Sequence, residues 1–228
     1  MIKHVLLDID DTILDFKKAE AIAIRKTFST MGIPVDDALI ARYSAINQLQ
    51  WERLERGELT REQVLVERFN ILFEEIGVKA PAEMAQATYE YLLGIGHYFI
   101  EGAPELLESL YGKYDLYVVS NGTANVQDRR LKSADIVRYF KGIFISERVG
   151  FNKPSREFFD TAFAGEKDFD RRNAILVGDS LTSDILGGIN AGVKTCWFNP
   201  NNKAPRADIV PDYEIKSLSE LPELLEKI

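Results

Sequence analysis

Two aspartates follow an apolar segment almost at the beginning of the chain. Asp8 and Asp10 come directly after Val5-Leu6-Leu7, a segment with the composition of a short buried strand. Side chains two residues apart share one face while a strand stays extended, so these carboxylates should repel each other unless a cation or a shared proton holds them. Such a cost is typical of a functional site. The alternative is an Asp-rich turn that caps a helix.

Three later apolar segments are also followed by polar residues, the second of them after an intervening loop. In an open parallel α/β sheet, ligands bind at the edge formed by the carboxyl ends of the strands, so we expect all four polar groups to converge on one crevice. The three further pairs of segment and polar group are Tyr117-Val118-Val119 with Ser120-Asn121-Gly122, Ile143-Phe144-Ile145 with Lys153-Pro154, and Ala174-Ile175-Leu176-Val177 with residues 178–184.

The carboxylates in these groups suit magnesium and phosphoryl transfer. Asp8, Asp179 and Asp184 offer hard oxygen ligands of the kind that Mg²⁺ prefers, with Mn²⁺ as a substitute. A carboxylate nucleophile that attacks a phosphate monoester would form an aspartyl-phosphate. Asp10 could protonate the leaving oxygen and later deprotonate the attacking water. The alternative for Asp184 is an acid in the first turn of a helix, where the helix dipole favours it.

The remaining polar residues are candidates for binding the phosphoryl oxygens. Ser120, Asn121 and Lys153 can hold them, the lysine as a point charge. The residues after Gly122 predict a helix start, whose free N–H groups would add to anion binding. Each residue also has a simpler interpretation: Lys153 as a solvated lysine before a turn proline, and Ser120 as a common type of residue at the end of a strand.

Taken in order, these motifs resemble those of the haloacid dehalogenase superfamily of aspartate-nucleophile phosphohydrolases. The resemblance rests on D-x-D-x-T at residues 8–12, the strand-end Ser120, Lys153, and G-D-S-x-x-x-D at residues 178–184. Each motif is weak alone, but the ordered set is specific, and its scaffold spans both ends of the chain.

The resemblance implies a role for each matching carboxylate. Asp8 would be the nucleophile and Asp10 the acid/base, and magnesium would be held by Asp8, the Asp10 carbonyl and Asp179. The chain departs from the pattern at Asp11, where many relatives have Gly. Asp11 must therefore accept the local backbone geometry, which Asp tolerates better than most residues.

The interval between Asp10 and Ser120 is far too long for a single crossover helix. It predicts four successive helices: one from Lys17 toward Met31, one capped by Asp36, one opened by a capping box at residues 60–63, and one after Pro81. We therefore expect an α/β core at residues 1–16 and 95–228, a Rossmann-like parallel sheet with helices on both faces. An all-α cap at residues 17–94 would be inserted into it, as in the superfamily.

Two strands are expected to join the cap to the core, near Leu14-Asp15-Phe16 and near Leu93-Gly94-Ile95-Gly96. The glycines in the second segment are consistent with a hinge. A cap that closes over the crevice would exclude water and select the leaving group.

Substrate choice is expected to lie in the cap. Asn47, Trp51 and Arg68 belong to a pattern that loosely resembles the cap of bacterial pyrimidine 5'-nucleotidases; its other members are Gly57, Gln63 and Phe69. Trp51 could stack on a base, and Arg68 or Asn47 could bind the base edge or the sugar. The alternatives are a packed tryptophan and a solvated helix arginine.

Other activities share this scaffold. Sugar-phosphate phosphatases and phosphomutases have the same motifs, and only assays with sugar phosphates separate them. Asp10 argues against a haloacid dehalogenase, which does not need the second acid, and against a non-enzymatic aspartyl-phosphate switch. A phosphonate hydrolase would need a Schiff-base lysine from the cap, for which Lys17 and Lys18 are available but weak candidates.

Composition agrees with a globular enzyme. The chain has 228 residues and a net charge of −8, which disfavours nucleic acid polymers but not a small phosphorylated metabolite, such as a nucleoside monophosphate, held by a metal. No apolar run approaches the ~20 residues of a membrane span. Cys196 is the single cysteine and is expected to be a buried strand thiol, so an internal disulfide is excluded. With no signal peptide before the first strand, we expect a cytoplasmic protein.

Overall fold

A computed structural model describes all 228 residues of the protein. Six parallel strands form one sheet in the spatial order β3-β2-β1-β4-β5-β6. The order reverses on either side of β1, and ligands bind outside such a switch point in open α/β sheets. The strands are β1 (His4–Leu7), β2 (Asp115–Ser120), β3 (Gly142–Ile145), β4 (Ala174–Gly178), β5 (Lys194–Phe198) and β6 (Tyr213–Ile215).

Ten α-helices accompany the sheet, five of them between β1 and β2. They are α1 (Phe16–Thr30), α2 (Asp37–Glu55), α3 (Arg61–Glu75), α4 (Ala82–Leu93), α5 (Ala103–Leu110), α6 (Ala124–Ser133), α7 (Ser146–Val149), α8 (Arg156–Ala162), α9 (Leu186–Ala191) and α10 (Leu221–Lys227). A π-helical turn at Leu181–Ile185 precedes α9. None of these helices combines the length and the apolar character that a transmembrane span requires.

Both faces of the sheet are buried, as the apolar strands require. Alternate residues of β1 enter different clusters: Val5 and Leu7 pack with residues of α5 and α10, and Leu6 packs with residues of α8 on the opposite face. This arrangement confirms the predicted Rossmann-like parallel sheet with helices on both faces.

Helices α1 to α4 form a separate apolar cluster, and we call them the helical layer (residues 16–93). Local signals set their ends as predicted. The Asp36 side chain accepts a hydrogen bond from Leu39 N at the start of α2, and Thr60 and Gln63 form the predicted capping box of α3. Aromatic rings of Tyr43 and Phe69 pack at 5.2 Å between centroids inside this layer.

The two connections between the helical layer and the sheet are simpler than the predicted pair of strands. Leu14 pairs with Phe99 as a single antiparallel bridge, and Asp15 N donates to Tyr98 O at 2.8 Å. The expected strand at residues 93–96 is absent, because α4 runs to Leu93 and a turn follows it. The expected strand at residues 14–16 is cut short because the Asp15 side chain caps α1.

Candidate active site

The carboxyl ends of β1, β2 and β4 border a cavity of about 210 Å³ that the helical layer covers. All core residues predicted from the sequence to carry chemistry lie in its wall, and so do Trp51 and Arg68. The core contributes Asp8, Asp10, Ser120, Asn121, Lys153, Asp179 and Asp184, and the helical layer contributes Trp51, Glu55, Leu65, Arg68, Gln86, Tyr89, Glu90 and Leu93.

Lys153 lies at the centre of the core wall. Its Nζ donates to Asp8 Oδ1 at 2.8 Å, to Asp184 Oδ1 at 2.6 Å and to Val119 O at 2.8 Å. Burial disfavours its charge, but the carboxylates of Asp184 and Asp8 outweigh burial and hold the pKa of Lys153 above its ordinary value. The ammonium is therefore a permanent buried charge beside Asp8, and the solvated interpretation of Lys153 does not apply.

Asp8 is positioned by the strand that precedes it. Its backbone N–H continues the β1–β4 pairing by donating to Val177 O at 3.0 Å, and its Oδ2 accepts from Thr12 Oγ1 at 3.3 Å. Burial raises the pKa of Asp8 well above its ordinary value, Lys153 opposes that shift, and Asp184 adds to it. At the neighbouring turn, Asp11 adopts φ 59°, the left-handed geometry that the sequence required of it.

Asp184 reaches the same point from the turn after β4. Its Oδ2 accepts a hydrogen bond from Ser180 N at 3.0 Å. A Cβ atom at Gly178 would overlap with the Asp184 carboxyl group, so only glycine allows this close approach. The glycine of the G-D-S-x-x-x-D motif is thus explained by packing within the motif itself.

The donor set fits a hard divalent cation. One carboxylate oxygen from each of Asp8, Asp179 and Asp184 can be chosen so that all three lie within 4.8 Å of one another. Three oxygen ligands of this kind suit Mg²⁺. Burial raises the pKa of Asp179 to about 6, which Lys203 opposes through an ion pair at 2.9 Å. Trp197 Nε1 donates to Asp179 O at 3.0 Å and fixes its backbone.

Asp10 has two partners that sequence reasoning missed. Gln127 Nε2 donates to Asp10 Oδ2 at 2.8 Å, and the Arg130 guanidinium pairs with Asp10 Oδ1. Arg130 is completely buried and also donates to Gly96 O at 3.1 Å, in the connection that returns from the helical layer. The only signal in the sequence was the spacing of three between Gln127 and Arg130 on the helix predicted after Ser120. That spacing is equally typical of a solvated helix face.

Ser120 and Asn121 have different surroundings. Ser120 Oγ accepts from Gly122 N at 3.1 Å and from Gln127 Nε2 at 2.8 Å, which leaves its own hydroxyl hydrogen for another acceptor. The Asn121 side chain is bound to the backbone of Lys153 at both ends, through Lys153 N and Lys153 O at 2.8 Å each. The side chain of Asn121 therefore holds the backbone of Lys153 in place.

Arg68 and Asn47 belong to one buried network in the helical layer. Arg68 Nη1 donates to Asn47 Oδ1 at 2.7 Å, and Asn47 Nδ2 donates to Glu20 Oε1 at 2.7 Å. Arg68 Nη2 donates to Gln86 Oε1 at 2.6 Å. Arg68 reaches the cavity, whereas Asn47 lies behind it and outside the cavity wall. Burial excludes the solvated interpretation of Arg68. The hydrogen bond from Arg68 Nη1 to Asn47 Oδ1 makes Asn47 a residue that orients the guanidinium.

Two further side chains of the helical layer reach across to the core. The Glu55 carboxylate accepts from Thr182 Oγ1 at 3.1 Å, and burial raises the pKa of Glu55 to about 7. Arg61 donates to the loop after β2, at Asn121 O and Gly122 O. The Trp51 ring is partly exposed in the cavity wall and lies 5.5 Å from the Arg61 guanidinium. Nothing in the sequence marks Glu55 or Arg61 beyond their place on predicted helices.

Three relatives are similar over nearly the whole chain. The HAD-hydrolase YfnB of Bacillus subtilis is 42% identical over 223 residues, covering 98% of this chain and 95% of YfnB. The pyrimidine 5'-nucleotidase PynA of Streptococcus pneumoniae is 33% identical and covers 99% of this chain and 95% of PynA. The pyrimidine 5'-nucleotidase YjjG of Escherichia coli is 31% identical, with 97% and 96% covered.

The crystal structure of YfnB has the same fold. It is described as bound to magnesium and as revealing interdomain movement, and it superposes with a TM-score of 0.94 at 41% identity, covering 98% of each chain. The haloacid dehalogenase-like hydrolase family matches residues 5–198, which include the D-x-D-x-T motif, Ser120, Lys153 and the G-D-S-x-x-x-D motif. The chain therefore belongs to the haloacid dehalogenase-like hydrolases, as the order of its motifs indicated.

Proposed function

We propose that the protein is a Mg²⁺-dependent phosphate monoester hydrolase that works through an aspartyl-phosphate, and that it hydrolyses pyrimidine nucleoside 5'-monophosphates. One observation carries the proposal: Asp8 lies against the buried ammonium of Lys153, in a cavity whose other wall presents Trp51 and Arg68. The wall with Asp8 and Lys153 suits a phosphoryl group, and the opposite wall with Trp51 and Arg68 suits a leaving group. We keep the cytoplasm as the expected compartment, since the one cysteine cannot form an internal disulfide.

In the first step, an Asp8 carboxylate oxygen attacks phosphorus, and the bond from phosphorus to the ester oxygen breaks. Asp10 gives its proton to the departing oxygen, so the alcohol leaves neutral. In the second step, water attacks phosphorus, Asp10 takes a proton from that water, and the bond between phosphorus and the Asp8 oxygen breaks. Inorganic phosphate leaves, and both carboxyl groups return to their starting states.

Lys153 and Ser120 would hold the phosphoryl oxygens through these steps. Lys153 supplies fixed positive charge, which matters because negative charge on these oxygens must be stabilised as the transition state forms. Ser120 Oγ accepts hydrogen bonds from Gly122 N and Gln127 Nε2, so its own hydroxyl hydrogen remains free to donate to a phosphoryl oxygen. Asp8, Asp179, Asp184 and the Asp10 carbonyl would hold Mg²⁺, or Mn²⁺ in its place, and the bound cation would neutralise charge on the same oxygens.

The nucleotide part of the proposal rests on the helical layer. A buried guanidinium with fixed neutral partners, as in Arg68, can donate to the carbonyl groups of a pyrimidine base. An aromatic face such as Trp51 can stack on that base, which contributes ~1–3 kcal/mol. PynA and YjjG, both named pyrimidine 5'-nucleotidases, support this choice.

The test is phosphate release with Mg²⁺ from a panel of monoesters that includes uridine, thymidine, cytidine and purine 5'-monophosphates, hexose and triose phosphates, and p-nitrophenyl phosphate. We expect pyrimidine nucleotides, including deoxy forms, to give the highest kcat/KM. If hexose or triose phosphates exceed every nucleotide, the sugar-phosphate alternative replaces the nucleotidase. If no monoester is turned over while Asp8 becomes phosphorylated, the non-enzymatic switch replaces the enzyme.

A further inference from the structure

Arg61 forms an unusual set of contacts between the helical layer and the core. It is the first residue of α3, and its guanidinium bridges two regions of the core, residues 121–122 and residues 146–152. Nη1 donates to Asn121 O at 2.9 Å and to Gly122 O at 3.1 Å, both in the loop after β2. Nη2 donates to Ser146 Oγ at 2.6 Å and to Asn152 Oδ1 at 2.9 Å.

These acceptors lie beside the residues proposed to hold the phosphate. Asn121 directly follows Ser120, and Asn152 directly precedes Lys153. The Asn121 side chain is in turn bound to the Lys153 backbone, so one guanidinium braces both the loop that carries the hydroxyl and the loop that carries the ammonium. A displacement of Arg61 would therefore be felt at both phosphoryl-binding side chains at once.

The chemistry of the contact favours a mechanical role over a catalytic one. All four acceptors are uncharged, and the planar fork of arginine is suited to bridge acceptors that lie in different directions. Burial lowers the pKa of Arg61, so its transfer into this site carries a desolvation cost that the hydrogen bonds must offset. All four acceptors belong to the core, so the contact can form only when the helical layer lies against the core.

The guanidinium also lies near Trp51, which is part of the cavity wall. The Trp51 ring lies 5.5 Å from Arg61 Cζ, within the range of a cation–π contact. Arg61 thus connects the aromatic ring proposed to contact the base with the loops proposed to hold the phosphate.

We propose that Arg61 is a positioning residue that aligns the two phosphate-binding loops when the helical layer docks on the core. The inference rests on the proposed phosphatase function. It makes a docked layer a condition for a well-formed phosphate site, so that a substrate bound to the open protein meets misaligned partners and is not turned over.

The test compares Arg61→Ala and Arg61→Lys with a matched control, Arg56→Ala. Arg56 lies in the same layer, is mostly exposed and pairs only with Glu58 of that layer. We expect Arg61→Ala to lower kcat/KM about tenfold to a hundredfold for both p-nitrophenyl phosphate and a pyrimidine nucleotide, because hydrogen bonds from a charged donor are among the stronger ones. Arg61→Lys should be intermediate, since it retains the charge without the fork.

Three readouts separate positioning from general stability. The inhibition constant for inorganic phosphate should rise in Arg61→Ala, millimolar guanidinium should restore part of the lost activity while urea does not, and small-angle scattering should show a larger radius of gyration. Asn152→Ala provides a second route if Arg61→Ala folds poorly. Arg61→Lys should lower kcat/KM less when it is introduced into the Asn152→Ala protein than into the wild type. The hydrogen bond between Arg61 and Asn152 is already absent in the Asn152→Ala protein.

The inference is overturned if Arg61→Ala stays within twofold of the wild type in kcat/KM, or if its phosphate inhibition and radius of gyration match those of Arg56→Ala. Failure of the proposed function looks different. A wild-type protein that hydrolyses no monoester refutes the phosphatase, while phosphate binding and scattering still report on Arg61. A wild-type protein that hydrolyses only p-nitrophenyl phosphate and sugar phosphates refutes the nucleotidase alone.

Discussion

Lys153 Nζ lies 2.8 Å from Asp8 Oδ1, although the two residues are 145 positions apart in the chain. The ammonium also contacts Asp184 Oδ1 at 2.6 Å, and all three side chains are buried. The lysine therefore compensates two buried carboxylates that would otherwise repel each other. The same lysine therefore contributes to the stability of the core and supplies the charge proposed to bind the phosphoryl group.

Replacing Lys153 should destabilise the fold. Lys153→Met keeps the volume but leaves Asp8 and Asp184 as unpaired buried carboxyl groups, a change that costs about 3–5 kcal/mol of unfolding free energy. Urea denaturation in the presence of a chelator measures the loss. Lys203→Met is the matched control, because Lys203 pairs with Asp179 at 2.9 Å but is 45% exposed, and it should cost less than about 1 kcal/mol. Equal losses in the two variants would contradict this account.

Asp8→Asn should abolish turnover, because an amide cannot replace the carboxylate nucleophile. We expect kcat to fall by more than about a hundredfold, with the melting temperature close to that of the wild type. Asp10→Asn should also reduce kcat strongly, since it removes the acid/base. The exposed Asp168→Asn serves as a control and should change neither quantity. Retention of more than about a hundredth of the wild-type kcat by Asp8→Asn would exclude Asp8 as nucleophile.

Removal of the metal should stop activity. We expect EDTA to abolish hydrolysis, Mg²⁺ or Mn²⁺ to restore it, and Ca²⁺ to bind but support little turnover, because its larger and looser coordination misplaces the phosphoryl group. Calorimetric titration of Mg²⁺ provides a readout independent of activity, and Asp179→Asn should weaken the binding it measures. Full activity in excess chelator would eliminate the magnesium site.

Trp51→Ala should change which substrates are preferred. If stacking is realised in the transition state, the variant loses roughly tenfold to a hundredfold in kcat/KM for pyrimidine nucleotides and little for p-nitrophenyl phosphate. Trp51→Phe should retain part of the preference, since it keeps an aromatic face. Equal losses for the two substrates would mean that Trp51 acts only by packing on Arg61.

Glu55 should make stability depend on pH. Its folded-state pKa of about 7 exceeds the ordinary value of 4.5, so between these pH values the folded protein keeps a proton that the unfolded chain releases. The stability gained from this proton is complete below pH 4.5 and is lost as the pH rises through 7. Urea titrations of metal-free protein should show the unfolding free energy of the wild type falling relative to Glu55→Gln across that interval. A constant difference would show that Glu55 does not titrate there.

The sequence predicted the helix starts and strand ends, because local residue patterns determine these features. Asp36 and the capping box at Thr60 and Gln63 mark helix starts through hydrogen bonds to residues three positions away, and apolar segments ending in polar residues mark the strands and their functional ends. The convergence of Asp8 with Lys153 was predictable because parallel strands place their carboxyl ends at one edge.

Contacts between segments that are far apart in the chain could not be predicted, because no local sequence pattern indicates them. Arg130, Gln127 and Arg61 lie on helices where an arginine or glutamine usually faces solvent, and their partners become visible only when the helices are placed. The predicted strands beside the helical layer failed for the opposite reason. Short apolar segments are typical of strands, but here Asp15 begins α1 as its cap, and a turn follows the end of α4 at Leu93.

The chain leaves the sheet for the helical layer and returns to it at the same place. Leu14 and Phe99 are paired across the two connections, and Ile100 N donates to Ile13 O at 3.0 Å, so the ends of the insertion are already joined by the core. The strand order and the position of Asp8 therefore do not depend on what is inserted between these two residues. The helices above the cavity, which we propose to select the leaving group, can therefore be exchanged or enlarged while the proposed hydrolytic residues below keep their positions.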